Sequence, residues 1–287
     1  MSRRIIVLLG VFIPLGPDEN SLGLRRNSGQ PGGTIDEPPA LTITTMGTEH
    51  ACGLSADGQA WCWGSNLLGQ LGNDDLSAAA RRIEDRVAVA TAARFVVLSA
   101  GASHTCGATR SGETYCWGLN LTGELGQLEV TDRCSADFPC SRRPVRLETT
   151  LAFDTLTAGF GHTCALARGR AYCWGRNDRG QLGNARADDD CGGVPCNVTP
   201  LAVESVDGFT SISAGGDHTC GIAEGFAYCW GSNQYGQLGL ATPSARNPKP
   251  LRVARAMVVR VEARGLGTCA TTMDARSMCW GYESASP

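Results

Sequence analysis

The chain has 287 residues, a length suited to one large domain or two ordinary ones. Only 18% of the residues are charged, whereas 37 are glycine, a balance typical of β-rich folds with many tight turns. The net charge of −3 argues against a nucleic-acid partner, because such proteins usually carry a basic surface. Fourteen cysteines indicate disulfides in an oxidising compartment, or metal and redox chemistry in a reducing one.

The N-terminus begins with Ser2-Arg3-Arg4, and an apolar run from Ile5 to Leu15 follows. This order is typical of a secretory signal peptide, and the apolar run is too short to span a membrane. No small-x-small cleavage pattern follows closely, so a mis-assigned start codon is the alternative. We interpret residues 1–16 as a candidate signal peptide, residues 17–39 as a flexible linker and residues 40–287 as the repeat region.

Five copies of one motif occupy the repeat region, and the third copy, residues 159–183, carries it in full. The motif reads Gly-x-x-His-Thr-Cys, then Cys-Trp-Gly-x-Asn-x-x-Gly-Gln-Leu-Gly. One histidine position and one tryptophan position recur in it. They hold His50, His104, His162 and His218, and Trp63, Trp117, Trp174, Trp230 and Trp280. We predict that these histidines and tryptophans are buried scaffold residues rather than a sugar-binding or catalytic set.

The motif resembles the repeats of the regulator of chromosome condensation family, over about residues 40–282. The resemblance implies an all-β fold, a β-propeller of about five four-stranded antiparallel blades. Paired cysteines are similar to a bacterial, exported variant of the family. One eukaryotic nuclear member is a nucleotide exchange factor for a small GTPase, and a bacterial propeller of similar repeats inhibits β-lactamases. The contact residues of neither protein match positions in this sequence.

The family resemblance implies about seven blades, whereas the chain offers five copies. Pro39 lies only 11 residues before His50, so one strand is expected to be missing before the first copy. The last copy stops near Tyr282 without the Gly-Gln-Leu-Gly segment. A tight five-bladed ring, an open arc and part of a larger assembly all stay open at this point. An open arc would be prone to self-association through its exposed strand edges.

Cysteine spacing predicts seven disulfides. Two cysteines nine or ten residues apart in each copy oppose each other across a hairpin whose loop has two or three residues. The other four form two local pairs inside insertions between blades. The predicted pairs are Cys52–Cys62, Cys106–Cys116, Cys134–Cys140, Cys164–Cys173, Cys191–Cys196, Cys220–Cys229 and Cys269–Cys279. Reduced structural thiols, or zinc held by a Cys-Cys-His trio, are the alternatives, although no fourth ligand recurs.

No phosphate-binding loop, nucleophile elbow or zinc-protease motif is present, so we expect no enzyme activity, no cofactor and no metal. An acidic run at residues 188–190 favours a solvated loop over a weak calcium site. The sequence predicts a binding scaffold outside the cytoplasm (extracellular, periplasmic or at the cell surface) for an unknown protein partner, with no nucleic acid. The insertions at 134–140 and 191–196 are the first candidate contacts. A cytoplasmic regulator of a small GTPase and an inhibitor of an extracellular enzyme are the alternatives.

Overall fold

The computed structural model describes residues 39–75, 82–130, 132–186, 189–253 and 256–282. The candidate signal peptide lies outside the described residues, as does all of the expected linker except Pro39. Five antiparallel sheets follow one another in chain order and form the blades of a β-propeller. Within the described ranges, no helix is long and apolar enough to cross a membrane.

The strands are numbered in chain order. Blade 1 contains β1 (Leu41–Met46), β2 (His50–Ser55), β3 (Ala60–Ser65) and β4 (Arg82–Ala88). Blade 2 contains β5 (Phe95–Ala100), β6 (His104–Thr109), β7 (Thr114–Leu119), β8 (Asp132–Arg133) and β9 (Pro139–Arg146). Blade 3 contains β10 (Thr155–Ala158), β11 (His162–Ala167), β12 (Arg170–Arg176), β13 (Asp189–Asp190) and β14 (Pro195–Ala202). Blade 4 contains β15 (Phe209–Ala214), β16 (His218–Ala223), β17 (Phe226–Gly231) and β18 (Asn247–Arg252), and blade 5 contains β19 (Val258–Arg264), β20 (Gly267–Thr272) and β21 (Ser277–Gly281).

The second and third strands of every blade form a hairpin in one register. Cys164 lies directly opposite Cys173, and Ala167 opposite Arg170, which leaves the two-residue loop Arg168-Gly169. Both loop residues have positive φ, 52° and 77°, as a type I′ turn requires. The same register places the cysteine pairs of the other four hairpins opposite each other, so the hairpin loop sets the cysteine alignment.

A proline-containing segment forms the fourth strand of the interior blades. In blade 2, Val145 pairs with Cys116 and Ser141 pairs with Gly118, so the residues between them, including Pro144, lie in an irregularity of the register. A proline is tolerated there because its missing N–H would have no ladder partner. β8 and β13 then add a fifth strand at the outer edge of blades 2 and 3.

The expectation of a missing strand before the first copy is wrong. In blades 2–4 the proline segment is the fourth strand of its own blade and not the first strand of the next, so the first copy needs only β1 before His50. Blade 1 therefore has four strands. Blade 5 has three in the described part of the chain, which ends at Tyr282. The expected four-stranded blade is thus the form of blades 1 and 4, while blades 2 and 3 have five strands.

The hydrophobic core lies between neighbouring blades. At the first boundary, Phe95, Leu98 and Trp117 of blade 2 pack against Cys52, Leu54 and other buried residues of blade 1. The next two boundaries repeat this arrangement with Phe153 and Trp174, whose ring centroids lie 5.8 Å apart, and with Phe209 and Trp230. At each of these boundaries a sheet face is buried because the neighbouring sheet covers it, as in other stacked repeat proteins.

We expect replacement of the pair Cys164 and Cys173 by serine to lower the free energy of unfolding by about 2–3 kcal/mol, because the bond closes a loop of about ten residues. Urea unfolding followed by tryptophan fluorescence measures the change. The matched control replaces Cys191 and Cys196, which lie in an insertion outside the blade core. An equal or larger loss in the control would contradict the assignment of the hairpin cystines as core elements.

Candidate functional site

The recurring histidine, threonine and tryptophan meet at each boundary between two blades. His50 Nε2 of blade 1 lies 2.8 Å from Thr105 Oγ1 of blade 2. Thr105 Oγ1 donates back to the Gln70 carbonyl oxygen of blade 1 at 3.3 Å, and Trp117 Nε1 of blade 2 donates to the same oxygen at 3.0 Å. We call this network of four residues the inter-blade lock.

The inter-blade lock recurs at the other three boundaries. The histidine-to-threonine distances are 2.9, 2.9 and 2.8 Å for His104–Thr163, His162–Thr219 and His218–Thr268. The shared acceptors are the backbone carbonyls of Glu124, Gln181 and Gln237. Because each blade contributes donors and acceptors to the same lock, the lock fixes the relative position of neighbouring sheets. The histidines therefore hold one blade to the next.

The lock fixes which ring nitrogen of each histidine carries a proton. Because the threonine hydroxyl donates its one proton to the carbonyl, histidine Nε2 must donate to the threonine oxygen. Burial lowers the pKa of His104 and His162 to about 3, and the pKa of His50 and His218 to about 4. Each imidazole is consequently uncharged near pH 7, with Nε2 committed to the lock and Nδ1 buried without a hydrogen-bond partner.

A second set of hydrogen bonds joins the first strands of neighbouring blades. Ala100 N donates to Thr45 Oγ1 at 3.0 Å, across the boundary between blades 1 and 2. The equivalent pairs at the other boundaries are Ala158 with Ser99, Ala214 with Thr157, and Ala263 with Ser213. Four backbone amides that a β-ladder leaves free are thus satisfied by a hydroxyl of the preceding blade.

The Asn-x-x-Gly-Gln-Leu-Gly segment presents the lock carbonyl. Asn66 Oδ1 accepts the Leu71 N–H at 3.1 Å, and Gln70 Oε1 accepts the Leu68 N–H at 2.8 Å, which shapes the loop. Leu71 is fully buried in the core. A Cβ on Gly72 would lie 2.7 Å from Trp117 Cδ1, so only glycine leaves room for the indole. Every fixed position of the motif is accounted for by packing or by the lock.

The structure joins all fourteen cysteines in the seven pairs that their spacing predicts. The cysteines of the first four hairpins have no exposed surface. Since each Sγ is bonded to another sulfur and histidine Nε2 faces a threonine, the Cys-Cys-His trio offers no thiolate ligand. Within the described part of the chain, no group of three His, Cys, Asp or Glu side chains could hold a metal ion.

Both insertions follow the third strand of their blade and lie at one face of the propeller. We call this face, where β3, β7, β12 and β17 end, the insertion face. The insertions share one plan: Asp132 Oδ2 accepts the Arg142 N–H at 3.0 Å, and Asp189 Oδ2 accepts the Val198 N–H at 2.9 Å. Asp190 also accepts the Gly193 N–H. Two aspartates of the acidic run therefore serve the backbone of the insertion.

The shared plan is an Asp-x-Cys segment and a Pro-Cys segment, which the sequence reasoning missed. It occurs as Asp132-Arg133-Cys134 with Pro139-Cys140 and as Asp189-Asp190-Cys191 with Pro195-Cys196. The expectation that the insertions lie between blades is also wrong, because each lies within its blade and follows the third strand. Only their tips differ: one carries Ser135 to Phe138, and the other carries Gly192 to Val194. Aligning the insertions with each other would have revealed this.

The tip of the first insertion reaches blade 1. Ser135 N donates to the Leu67 carbonyl at 3.2 Å, and Phe138 N donates to the Ser135 carbonyl at 3.4 Å. Leu67 and Phe138 expose 39% and 41% of their surface, and Leu121 exposes 49% at the equivalent loop of blade 2. These apolar side chains lie on the insertion face, where blade packing does not require them. The sequence pattern did not single them out, because they occupy variable positions of the motif.

Two models of the "Regulator of chromosome condensation (RCC1) repeat" match the chain, one at residues 168–222 and 224–268 and the other at 44–70, 95–124 and 153–181. The chain belongs to the RCC1 repeat family. Among its relatives are the ultraviolet-B receptor UVR8 of Arabidopsis thaliana, 28% identical over 82% of this chain and 51% of its own, and the probable E3 ubiquitin-protein ligase HERC3 of Homo sapiens, 31% identical over 72% of this chain and 19% of its own. The chain thus spans about half or less of these relatives.

Solved structures give the same fold. Human WBSCR16 superposes with a TM-score of 0.74 at 19% identity, covering 86% of this chain and 64% of its own. Yeast RCC1 (Prp20), bound to Kap60, superposes with a TM-score of 0.68 at 22% identity, covering 80% of this chain and 53% of its own. The expected RCC1-type propeller is therefore confirmed.

One RCC1 repeat position is occupied differently in blade 2. Glu124 stands where the other complete copies have Gln70, Gln181 and Gln237, and its side chain is buried. Its carboxylate accepts the Thr122 N–H at 2.7 Å and the Thr122 hydroxyl at 2.8 Å. Burial nevertheless raises the pKa of Glu124 to about 7, with the hydrogen bonds and Arg176 opposing the rise.

We expect Thr163→Val to lower the free energy of unfolding by about 1–3 kcal/mol, because His104 Nε2–H loses its acceptor inside the core. Thermal and urea unfolding measure the loss. Thr271→Val in blade 5 is the matched control: Thr271 is half-buried and opposes Ser277 within its own blade. Equal losses in both variants would count against the lock.

We expect Glu124→Gln to stabilise the protein at high pH. Because the folded pKa of about 7 exceeds the ordinary 4.5, the stability that Glu124 contributes is complete below 4.5 and falls as the pH rises through 7. The wild type should lose on the order of 3 kcal/mol relative to the variant between about pH 4 and pH 9. Urea unfolding at several pH values measures this change. A difference in unfolding free energy between the two proteins that stays constant across this pH range would refute the assignment.

Proposed function

We propose that the chain is a non-catalytic, exported or cell-surface binding scaffold that contacts a protein partner through its insertion face. The observation that carries the proposal is the first insertion, whose tip is held against blade 1 while Phe138 and Leu67 point to solvent. Exposed apolar side chains on a rigid frame favour protein recognition, because their burial by a partner is favourable and orders little additional chain.

The cysteines support a location outside a reducing compartment. Seven disulfides leave no free cysteine in the chain, and five of them clamp the hairpins on which the blades are built. Cytosolic reductants would keep such thiols reduced. The candidate signal peptide agrees with export, although it lies outside the described residues.

The histidines support the absence of catalysis. All four are neutral, buried and bonded to a threonine of the next blade, so none of them is free to serve as a general base. The ligase named HERC3 does not change this proposal, because the chain matches only 19% of its length.

A regulator of a small GTPase is the second candidate, and it rests on family likeness. The yeast structure of Prp20 is described with its binding properties to Gsp1p and histones, and its superposition on this chain has a TM-score of 0.67. At 22% identity this likeness shows the fold alone. An inhibitor of an extracellular enzyme is the third candidate, for which the insertion face would supply the contact.

The compartment is tested first. We expect the natively produced protein, alkylated under denaturing conditions without reduction, to show no added mass, and alkylation after reduction to label all fourteen cysteines. Fourteen thiols labelled without reduction would overturn the export proposal and favour the intracellular regulator.

The insertion face is tested by photo-crosslinking. A photoreactive phenylalanine replaces Phe138 in cells that make the chain naturally, and crosslinked proteins are identified by mass spectrometry. We expect a defined adduct whose yield falls at least about tenfold when Leu67 is also changed to serine. The control places the same group at Met273, which is 71% exposed in the hairpin loop at the opposite face. An adduct from Met273 alone would locate the interaction on the opposite face and overturn the proposal.

A further inference from the structure

The inter-blade contacts end at the outward face of blade 5, the side that in blades 1–4 is covered by the next blade. Gly267 stands at the histidine position of the lock, and Glu262 stands where Ser213 supplies the hydroxyl in blade 4. The core position of Ile222 is Thr271 in blade 5, and that of Ala227 is Ser277. Every group that would hold a further blade is therefore replaced by a small or polar residue.

The change uncovers one disulfide. Cys269 and Cys279 lie opposite each other on this outward face and are both half-buried, whereas the cysteines of the other four hairpins are fully buried. In blades 1–4 each first cysteine has its Sγ 3.7 or 3.8 Å from a threonine of the following blade. An incoming thiolate can therefore reach the Cys269–Cys279 bond and cannot reach the interior hairpin bonds.

β21, the strand that carries Cys279, also has fewer hydrogen-bonded neighbours than the third strands of the other blades. β21 pairs only with β20, because blade 5 has three strands in the described part of the chain. In blades 1–4 the equivalent strand pairs on both sides. An edge strand with one neighbour separates at lower free-energy cost than a central strand, which further exposes its sulfur.

Charge on this face does not block an anionic reagent. Glu262 lies opposite Cys269 in the register, and its carboxylate is paired with Arg260 and Arg264. The remaining neighbours on this face, Thr271 and Ser277, are uncharged and small.

We propose that Cys269–Cys279 is a thiol–disulfide exchange site, the one hairpin disulfide that an external dithiol reduces while the propeller stays folded. A thiolate of the dithiol attacks one sulfur, the S–S bond breaks, and the other cysteine leaves as a thiolate that takes up a proton. The second thiol of the reagent, as a thiolate, then attacks the reagent's own sulfur in the mixed disulfide and releases the cysteine that was attacked first, which also takes up a proton. Two electrons and two protons pass to the protein, and the dithiol becomes a cyclic disulfide.

Reduction frees β21 at the boundary with blade 4. Trp280 of β21 donates to the Gln237 carbonyl at 2.9 Å, and Thr268 of β20 accepts from His218 and donates to the same carbonyl at 2.8 Å. Reduction at the exchange site thus weakens the contribution of Thr268 and Trp280 to the inter-blade lock between blades 4 and 5, and it leaves the insertions of blades 2 and 3 unchanged.

The test is graded reduction of the folded full-length protein with dithiothreitol, trapping by alkylation and peptide mass spectrometry. We expect Cys269 and Cys279 to be labelled at least about tenfold faster than Cys52 and Cys62, whose sequence separation of ten residues is the same. Labelling of any interior hairpin pair at an equal or higher rate would overturn the proposal.

Two further measurements exclude simple unfolding. Hydrogen exchange at the reductant concentration that labels this pair should rise in β20 and β21 and stay unchanged in blades 1–3. The variant with Cys269 and Cys279 changed to serine should lose the fast hairpin label while the eight cysteines of the interior hairpins stay protected. Loss of protection throughout the propeller at that concentration would mean that reduction follows global unfolding, which contradicts the proposal.

Discussion

The structure depends on one backbone oxygen at each blade boundary. The carbonyl of the glutamine position accepts a threonine hydroxyl and a tryptophan N–H, and the hydroxyl is itself the acceptor of a histidine from the first blade. Two sheets thereby exchange hydrogen bonds in both directions inside an apolar layer. Any slip of one blade along the other would leave buried donors without acceptors, which is costly. Packing of apolar side chains alone would not impose that register.

The lock also explains why the repeat is so uneven in composition. Histidine, threonine and tryptophan recur at the four locks because each contributes a side-chain atom to them, and the last glycine of the Gly-Gln-Leu-Gly segment leaves room for the indole. The glutamine position contributes only its backbone carbonyl, and it holds Glu124 in blade 2. The two positions between asparagine and glycine are not fixed, and they hold Leu67-Leu68 in blade 1 and Asp178-Arg179 in blade 3. These two positions take no part in the lock, and in three blades one of them holds an exposed apolar or aromatic side chain: Leu67, Leu121 and Tyr235.

The hairpins and their cystines followed from the sequence because local geometry determines them. A spacing of nine or ten residues, a glycine in the loop and strand alternation are sufficient to bring Cys164 opposite Cys173. The blade boundaries did not follow, because the proline segment pairs with the strand before it, and a linear repeat gives no sign of where one sheet ends. The histidine's role was identified only in part: its burial is readable from the repeat, but its partner lies 50–59 residues away in another blade.

The candidate site could be predicted from the sequence only in part. The insertions interrupt the repeat, yet both contain the same aspartates and cysteines. The aspartates accept backbone N–H groups of the insertion, and the cysteines close it with a disulfide. What distinguishes the first insertion is the bond from Ser135 to the Leu67 carbonyl, a contact between a tip and a loop more than sixty residues earlier in the chain. That bond anchors the tip of the insertion, which carries Phe138, to the loop of blade 1 that carries Leu67. The first insertion thus places an exposed apolar side chain, Phe138, in a loop that a neighbouring blade anchors through a backbone hydrogen bond, and this defined position is the physical basis of the proposed contact surface.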